Sequence, residues 1–436
     1  MPRVPSAPFF LGLACACLAA LPACKQTGFK LPKLKFQNKA AAAGAADADA
    51  AAGSAVANPS LTPEESAFLE KCASLGASAV TITGRDGYHF SPTELQRLSQ
   101  LHDPNAPSFK AAASAITDYH TQLKRRGIEL IFVPVPPKAI LFPDKIDKDL
   151  KIKVRRKKPA RLDSALQAFY ASLRRQGVNV MDPTDELLSR RENKKLGPIF
   201  PKTAAVWSPR AAETTAGLIA SPLKGAQWAN QPGKGGPLIT EASTLTYSGP
   251  LHSGTPEAES LALRNIGRAA DGKMRSVTFS TGGNPLTLIG DHTLLAWREA
   301  NNPPGATGAF ASLADQLAFE LQTTPDLFSG KTDGRNAPRL RLLRDSSSGR
   351  NPLVATKTLI WVIQATDFAL NDWKRVPLRL DVRSSAPGTP MFLAPPIGLI
   401  PDPGSPAPAV TPPANPAPPI APPTSPGEPD LPQLPR

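Results

Sequence analysis

Gly290-Asp291-His292 closes an apolar run at residues 286–289 and opens a helical pattern. A strand-to-helix turn of this kind is where an α/β acyl-transfer enzyme presents its nucleophile, yet the third residue here is an imidazole. A serine hydroxyl at that point could be acylated and pass the acyl group to water or an acceptor, whereas histidine more often serves as the base. Asp291 and His292 are chain neighbours, so on an extended strand end their side chains diverge and form no direct orienting pair. A second hydroxyl signal, Asp345-Ser346-Ser347-Ser348-Gly349, follows the apolar run 340–343. Lacking a preceding glycine it reads as a polar loop, with Ser346 as the alternative nucleophile. His89, His102, His120 and His252 lack the one-turn spacing of a histidine metal pair, so neither a metal nor a cofactor is implied.

These residues need a scaffold. Apolar runs at 129–135, 178–181, 286–289, 340–343 and 358–363 read as strands covered on both faces. Helical patterns at 109–126, 160–176, 208–220 and 310–322 lie between them. That alternation predicts an α/β fold, a parallel sheet flanked by helices. In open sheets of this kind chemistry collects beyond the carboxyl ends of the strands. Gly290-Asp291-His292, Pro136-Pro137-Lys138 and Asp182-Pro183 all fall there.

The two ends of the 436-residue chain cannot supply a core. Arg3, the apolar residues 9–20 and Leu21-Pro22-Ala23-Cys24 read as a secretory signal of lipoprotein type over 1–23, with Cys24 as the lipid-attachment residue. An alanine-rich tether then covers 24–60, a folded region 61–385, and a proline-rich disordered tail 386–436. Fully extended at about 3.1 Å per residue, residues 401–436 would reach on the order of 100 Å. Cys15 and Cys17 leave with the signal, so Cys72 has no partner and reads as a buried, inert thiol. The formal charge of +14 favours acidic polysaccharide or lipid headgroups as partners over nucleic acid in an exported chain. The run 151–158, Lys-Ile-Lys-Val-Arg-Arg-Lys-Lys, is its densest patch, readable as a solvated loop or a binding site.

Several separated segments stand in a telling order: Gly84-Arg85-Asp86-Gly87-Tyr88-His89-Phe90, the stretch from Arg126 to Lys138, and the helix 161–176 with its following Gly177 to Pro183. Trp207-Ser208-Pro209, Leu288-Ile289-Gly290-Asp291-His292 and residues 358–363 complete the set. Their order resembles the periplasmic alginate O-acetyltransferase family of AlgJ and AlgX type, whose catalytic domain is an SGNH-hydrolase variant. The resemblance implies an SGNH-hydrolase-like parallel sheet flanked by helices. It also implies a serine that attacks the acetyl donor, a histidine that activates it and an aspartate that orients the histidine. Carried over, the aspartate position is Ala204, the histidine position Val206 and the serine position His292. Neither alanine nor valine can accept or deliver a proton. Groove candidates on this reading are Lys138, Trp207, Asp291 and His292. The implied protein is a catalytically inactive binding or scaffold member of exopolysaccharide or cell-envelope O-acetylation. It would be lipid-anchored through Cys24 in the periplasm or outer envelope, beside a membrane-bound O-acyltransferase. Two alternatives stand: an O-acetyltransferase or esterase with a relocated nucleophile at Ser346 or His292, and a structural lipoprotein acting through its proline tail.

Overall fold

Three apolar runs with no polar face become the middle of the sheet. In the computed structural model, Glu129–Val135 (β1), Leu286–Gly290 (β6) and Thr358–Gln364 (β8) are buried along almost their whole length. Asn179–Val180 (β2) and Asp326–Ser329 (β7) flank them, giving the all-parallel order β7-β6-β8-β1-β2. Ile289 of β6 lies beside Trp361 of β8, which lies beside Phe132 of β1. The structure describes residues 59–379 apart from 157, 194–195, 231–235, 252–257, 271–272 and 299–308. The expected signal 1–23, the expected lipid-attachment residue Cys24, nearly all of the expected tether 24–60, the tail 386–436 and His252 therefore lie outside the described residues.

Helices cover both faces because their apolar residues recur at helical spacing. They are Pro63–Gly76 (α1), Pro92–Ser99 (α2), Pro107–Arg125 (α3), Ser164–Arg175 (α4), Pro209–Leu223 (α5), Leu313–Leu321 (α6) and Ala337–Ser347 (α7). Four of the seven begin with Thr or Ser at the N-cap, and Thr62, Ser208 and Ser312 accept a backbone N–H there. Trp361 anchors the core, edge-on to Phe132 at 5.3 Å and to Tyr119 at 5.8 Å. Cys72 is buried in α1, and burial pushes its thiol far up, so it is an inert packing residue. No helix among the described residues is long and apolar enough to cross a membrane.

Two features depart from the sequence reading. Residues 340–343 form no strand; they lie inside α7, where Pro338, Arg339 and Leu342 are buried while Arg341 and Arg344 are exposed. That one-sided burial is helical spacing, and the sheet's edge is instead the short, half-polar β7. An antiparallel ribbon of Leu238–Tyr247 (β3), Glu259–Ala270 (β4) and Lys273–Ser276 (β5) stands between α5 and β6 in sequence. Its strand β3 is exposed at most positions, so it carries no continuous apolar run.

The Gly84 to Phe90 segment is a small hairpin, Ile82–Thr83 against His89–Phe90. Asp86 and Gly87 have φ of 54° and 77°, the two left-handed residues of a mirror-image turn that favours Asp-Gly.

Candidate active site

The carboxyl ends of β6 and β8 and the loop before α5 meet α2 and the end of β3 around one cleft of about 410 Å³. Ala204, Val206 and His292 all line it. The structure thus brings His292 to Ala204 and Val206, from a distant part of the sequence. Gly290 makes this approach possible, since a Cβ on it would sit 2.4 Å from the Val362 carbonyl oxygen. His292 begins a 3-10 turn, His292–Leu294, and is exposed to the cleft.

Asp291 and Lys138 lie behind the cleft rather than in it, which corrects their reading as groove residues. The Asp291 carboxylate is buried and accepts the Thr293 N–H at 2.7 Å, capping the 3-10 turn. Lys138 is 1% exposed, and its Nζ donates to the carbonyls of His89, Pro201, Lys202 and Ala204 at 2.7–3.0 Å. One buried ammonium therefore ties the opening hairpin to the loop that carries Ala204 and Val206. Trp207 is buried as well. It borders a chamber of about 20 Å³ beneath the cleft, with Glu94, Thr293, Gln364 and Thr366. That volume suits one water molecule. Trp207 Nε1 and Thr293 Oγ1 have no hydrogen-bond partner among the described residues.

Ser346 is not brought to the cleft. It sits within α7, where its Oγ donates to the Leu342 carbonyl at 2.9 Å, so the expected polar loop is a helix turn. No cluster of metal-ligating side chains occurs among the described residues.

The cleft also holds residues that sequence patterns did not single out: Glu94, Arg97, Tyr247, Gln364 and Thr366. Ser91-Pro92-Thr93-Glu94 carries the Ser-x-x-Glu signature of a helix start, which signals a cap and not a site. In the structure Ser91 makes no side-chain cap bond. Glu94 instead accepts the Ala139 N–H at 3.1 Å, at the foot of the one-turn helix Lys138–Leu141. Burial pushes its carboxyl up to about 6, against the Ala139 N–H and the Lys138 charge, while burial pushes Lys138 down. Arg97 pairs with Asp367 at 3.3 Å, and burial raises Asp367 to about 6 against Arg335 and Arg97. The Tyr247 hydroxyl, buried at the cleft wall, has no partner among the described residues.

Residues 81–291 match the family model described as "SGNH hydrolase-like domain, acetyltransferase AlgX". Over the matched residues 81–291 the chain is of the AlgJ/AlgX type. Within that family it is 31% identical over 144 residues to the "Probable alginate O-acetylase AlgJ" of Pseudomonas aeruginosa, which is 33% of each chain. It thus spans about a third of the length of the curated relative it matches. Among solved structures it is similar to the O-acetyltransferase domain of Pseudomonas putida AlgJ, with a TM-score of 0.47 and 20% identity. That match covers 71% of this chain and 96% of the other. Pseudomonas aeruginosa AlgX gives a TM-score of 0.44 and 18% identity, covering 67% and 68%. In this AlgJ/AlgX-type chain, then, the match ends at Asp291, one residue before the imidazole that lines the cleft.

Proposed function

We propose that this AlgJ/AlgX-type chain takes part in exopolysaccharide or cell-envelope O-acetylation as a binding or scaffolding member that does not itself transfer acetyl groups. The observation that carries the reading is the convergence of Ala204, Val206 and His292 on one cleft. A methyl and an isopropyl group stand there where a proton would have to be passed. The occupant proposed for the cleft is an acidic polysaccharide of the alginate class, held by Arg97, Gln364, Thr366 and Tyr247. Delivery to the periplasm or outer envelope through a lipidated Cys24, near a membrane-bound O-acyltransferase that handles the acetyl donor, belongs to the same proposal.

The purified chain is expected to leave a chromogenic acetyl ester unhydrolysed above the buffer rate. Turnover that disappears in His292→Ala would overturn the inactive reading. A serine-directed phosphonate is expected to leave Ser346 unlabelled by mass spectrometry, because its hydroxyl is engaged with the Leu342 carbonyl within a helix. An adduct at Ser346 would revive the relocated-nucleophile alternative.

Binding of an oligouronate is expected to tighten as pH falls through about 6. Glu94, whose carboxyl is pushed up to about 6, is a negative charge on the cleft wall above that value and neutral below it. Uronate carboxylates of ordinary acidity, near 4, stay ionised in the same window. Lys138 faces Glu94 and stays engaged with its carbonyls, and Arg97 stays charged. The expected gain is about fivefold, the scale of ~1 kcal/mol for like charges at a wet surface. Calorimetric titrations at several pH values should show a shallower profile for Glu94→Gln, the remainder coming from Asp367, whose carboxyl beside Arg97 is raised to about the same value. A pH profile equally steep in the variant would assign the effect elsewhere.

A further inference from the structure

The hairpin Val154–Arg155 against Lys158–Pro159 projects from the segment between β1 and α4 and shares no residue with the cleft. Its base is neutralised: Lys158 pairs with Asp185 at 2.9 Å, and Arg161 pairs with Asp163, Asp182 and Asp185. Its outer part is not. Lys148, Lys151, Lys153, Arg155 and Arg156 are exposed and form no ion pair among the described residues. The nearby carboxylates are largely committed, Asp147 to Lys71 at 3.0 Å and Glu64 to the Lys153 N–H at 2.7 Å. Only Asp149 stands exposed among these cations. The Glu64 contact, the Asp185 pair and the buried Pro159 hold the hairpin in place, so its charges are presented together.

Val154 lies in the middle of this run and is 40% exposed. An aliphatic side chain ringed by cations matches a phospholipid surface, where phosphates take the charges and the headgroup layer takes the apolar group. A sugar polymer would be better served by an aromatic platform. The exposed large hydrophobic residues among those described are Val80, Val154, Leu196, Ile239 and Val354, and none is aromatic.

We propose that this hairpin is a docking surface for an anionic lipid bilayer. Lys151, Lys153, Arg155 and Arg156 contact headgroup phosphates, and Val154 enters the interfacial layer. The contact needs no acyl chain on the protein and is independent of what the cleft binds.

The chain from residue 25 to 436, which lacks both the apolar residues 9–20 and Cys24, tests this without a lipid anchor. It is sedimented with vesicles of phosphatidylcholine alone or with about a third phosphatidylglycerol, at rising salt. Binding is expected only to the anionic vesicles and to weaken with salt. Each basic side chain removed should lower partitioning about fivefold, so the combined K151Q, K153Q, R155Q and R156Q variant should lose on the order of a hundredfold or more. Val154→Ser should lose about fivefold. These side chains are exposed, so thermal unfolding of the variants should match the parent; if the combined variant fails to fold, Arg156→Gln alone still reads fivefold. Equal binding to neutral vesicles, or undiminished binding by the charge variants, would overturn the proposal. So would hairpin-dependent capture of soluble polyuronate with no binding to vesicles.

Discussion

Lys138→Met is expected to destabilise the protein by about 3–5 kcal/mol, the cost of removing one partner from a buried charged network. Methionine matches the length and apolar stem of lysine, so packing against Tyr88 and Phe90, whose ring centroids lie 5.5 and 5.4 Å from Nζ, is largely retained. What is lost is the donor to four carbonyls. Lys202 O keeps the His89 N–H at 2.8 Å and Pro201 O keeps a long contact from the Ala204 N–H, but the Ala204 carbonyl depends on Nζ at 3.0 Å. A buried acceptor left without a donor costs roughly 1–3 kcal/mol. Glu94 would at the same time lose the charge that opposes its protonation. Lys138→Arg is not expected to rescue, because a planar fork cannot replace a compact ammonium among converging carbonyls. Urea unfolding of the two variants checks this. An unchanged midpoint together with weakened ligand binding would return Lys138 to the groove.

The same lysine shows how far the sequence carries. Pro136-Pro137-Lys138 was placed correctly at the carboxyl end of a central strand, because an apolar run such as residues 129–135 has no polar face to confuse it. Which way Lys138 points depends on carbonyls from residues 89 and 201–204, contributed by segments about 50 and more than 60 positions away. No local pattern contains that information. Residues 340–343 were misread for the opposite reason: three apolar side chains in a row of four look like a strand until the neighbours are counted. Pro338 and buried Arg339 extend the pattern into one turn of α7, and Arg339 is buried over Trp361 at 4.6 Å, so a charged residue does an apolar residue's packing. The ribbon of β3 and β4 escaped because its outer strand is exposed and rich in Thr, Ser and Ala. Of the cleft, His292 is legible from its turn at the end of an apolar run, whereas Ala204 and Val206 are legible only through the family resemblance. Glu94 and Arg97 were hidden as ordinary surface positions of a short helix, and Gln364 and Thr366 lie just past the end of the apolar run that marks β8.

Placing the family's three groups in one step, with A204D, V206H and H292S together, is expected to create measurable hydrolysis of an activated acetyl ester above the parent's rate. All three side chains border the same cleft, and the backbone that carries two of them is fixed by Lys138, by the Gly249 N–H to Thr203 Oγ1 bond at 2.8 Å, and by Trp297 Nε1 on the Trp207 carbonyl at 2.6 Å. The scaffold is therefore held independently of the side chains at 204, 206 and 292. A positioned base contributes about 10²–10⁴-fold to such a reaction, and an acyl-serine intermediate divides one difficult step into two. The gain is expected at the lower end of that range, because Ala204 is fully buried and an aspartate there must find its hydrogen bond at the new imidazole. V206H alone and H292S alone should stay at the parent's level, since a base without a nucleophile and a nucleophile without a base each leave the proton transfer unmade. A phosphonate should label Ser at position 292 only in the triple variant. A folded triple variant with an unaltered melting curve, no turnover and no adduct would mean that the cleft has lost the reacting geometry along with the residues, and that selection on binding has reshaped it.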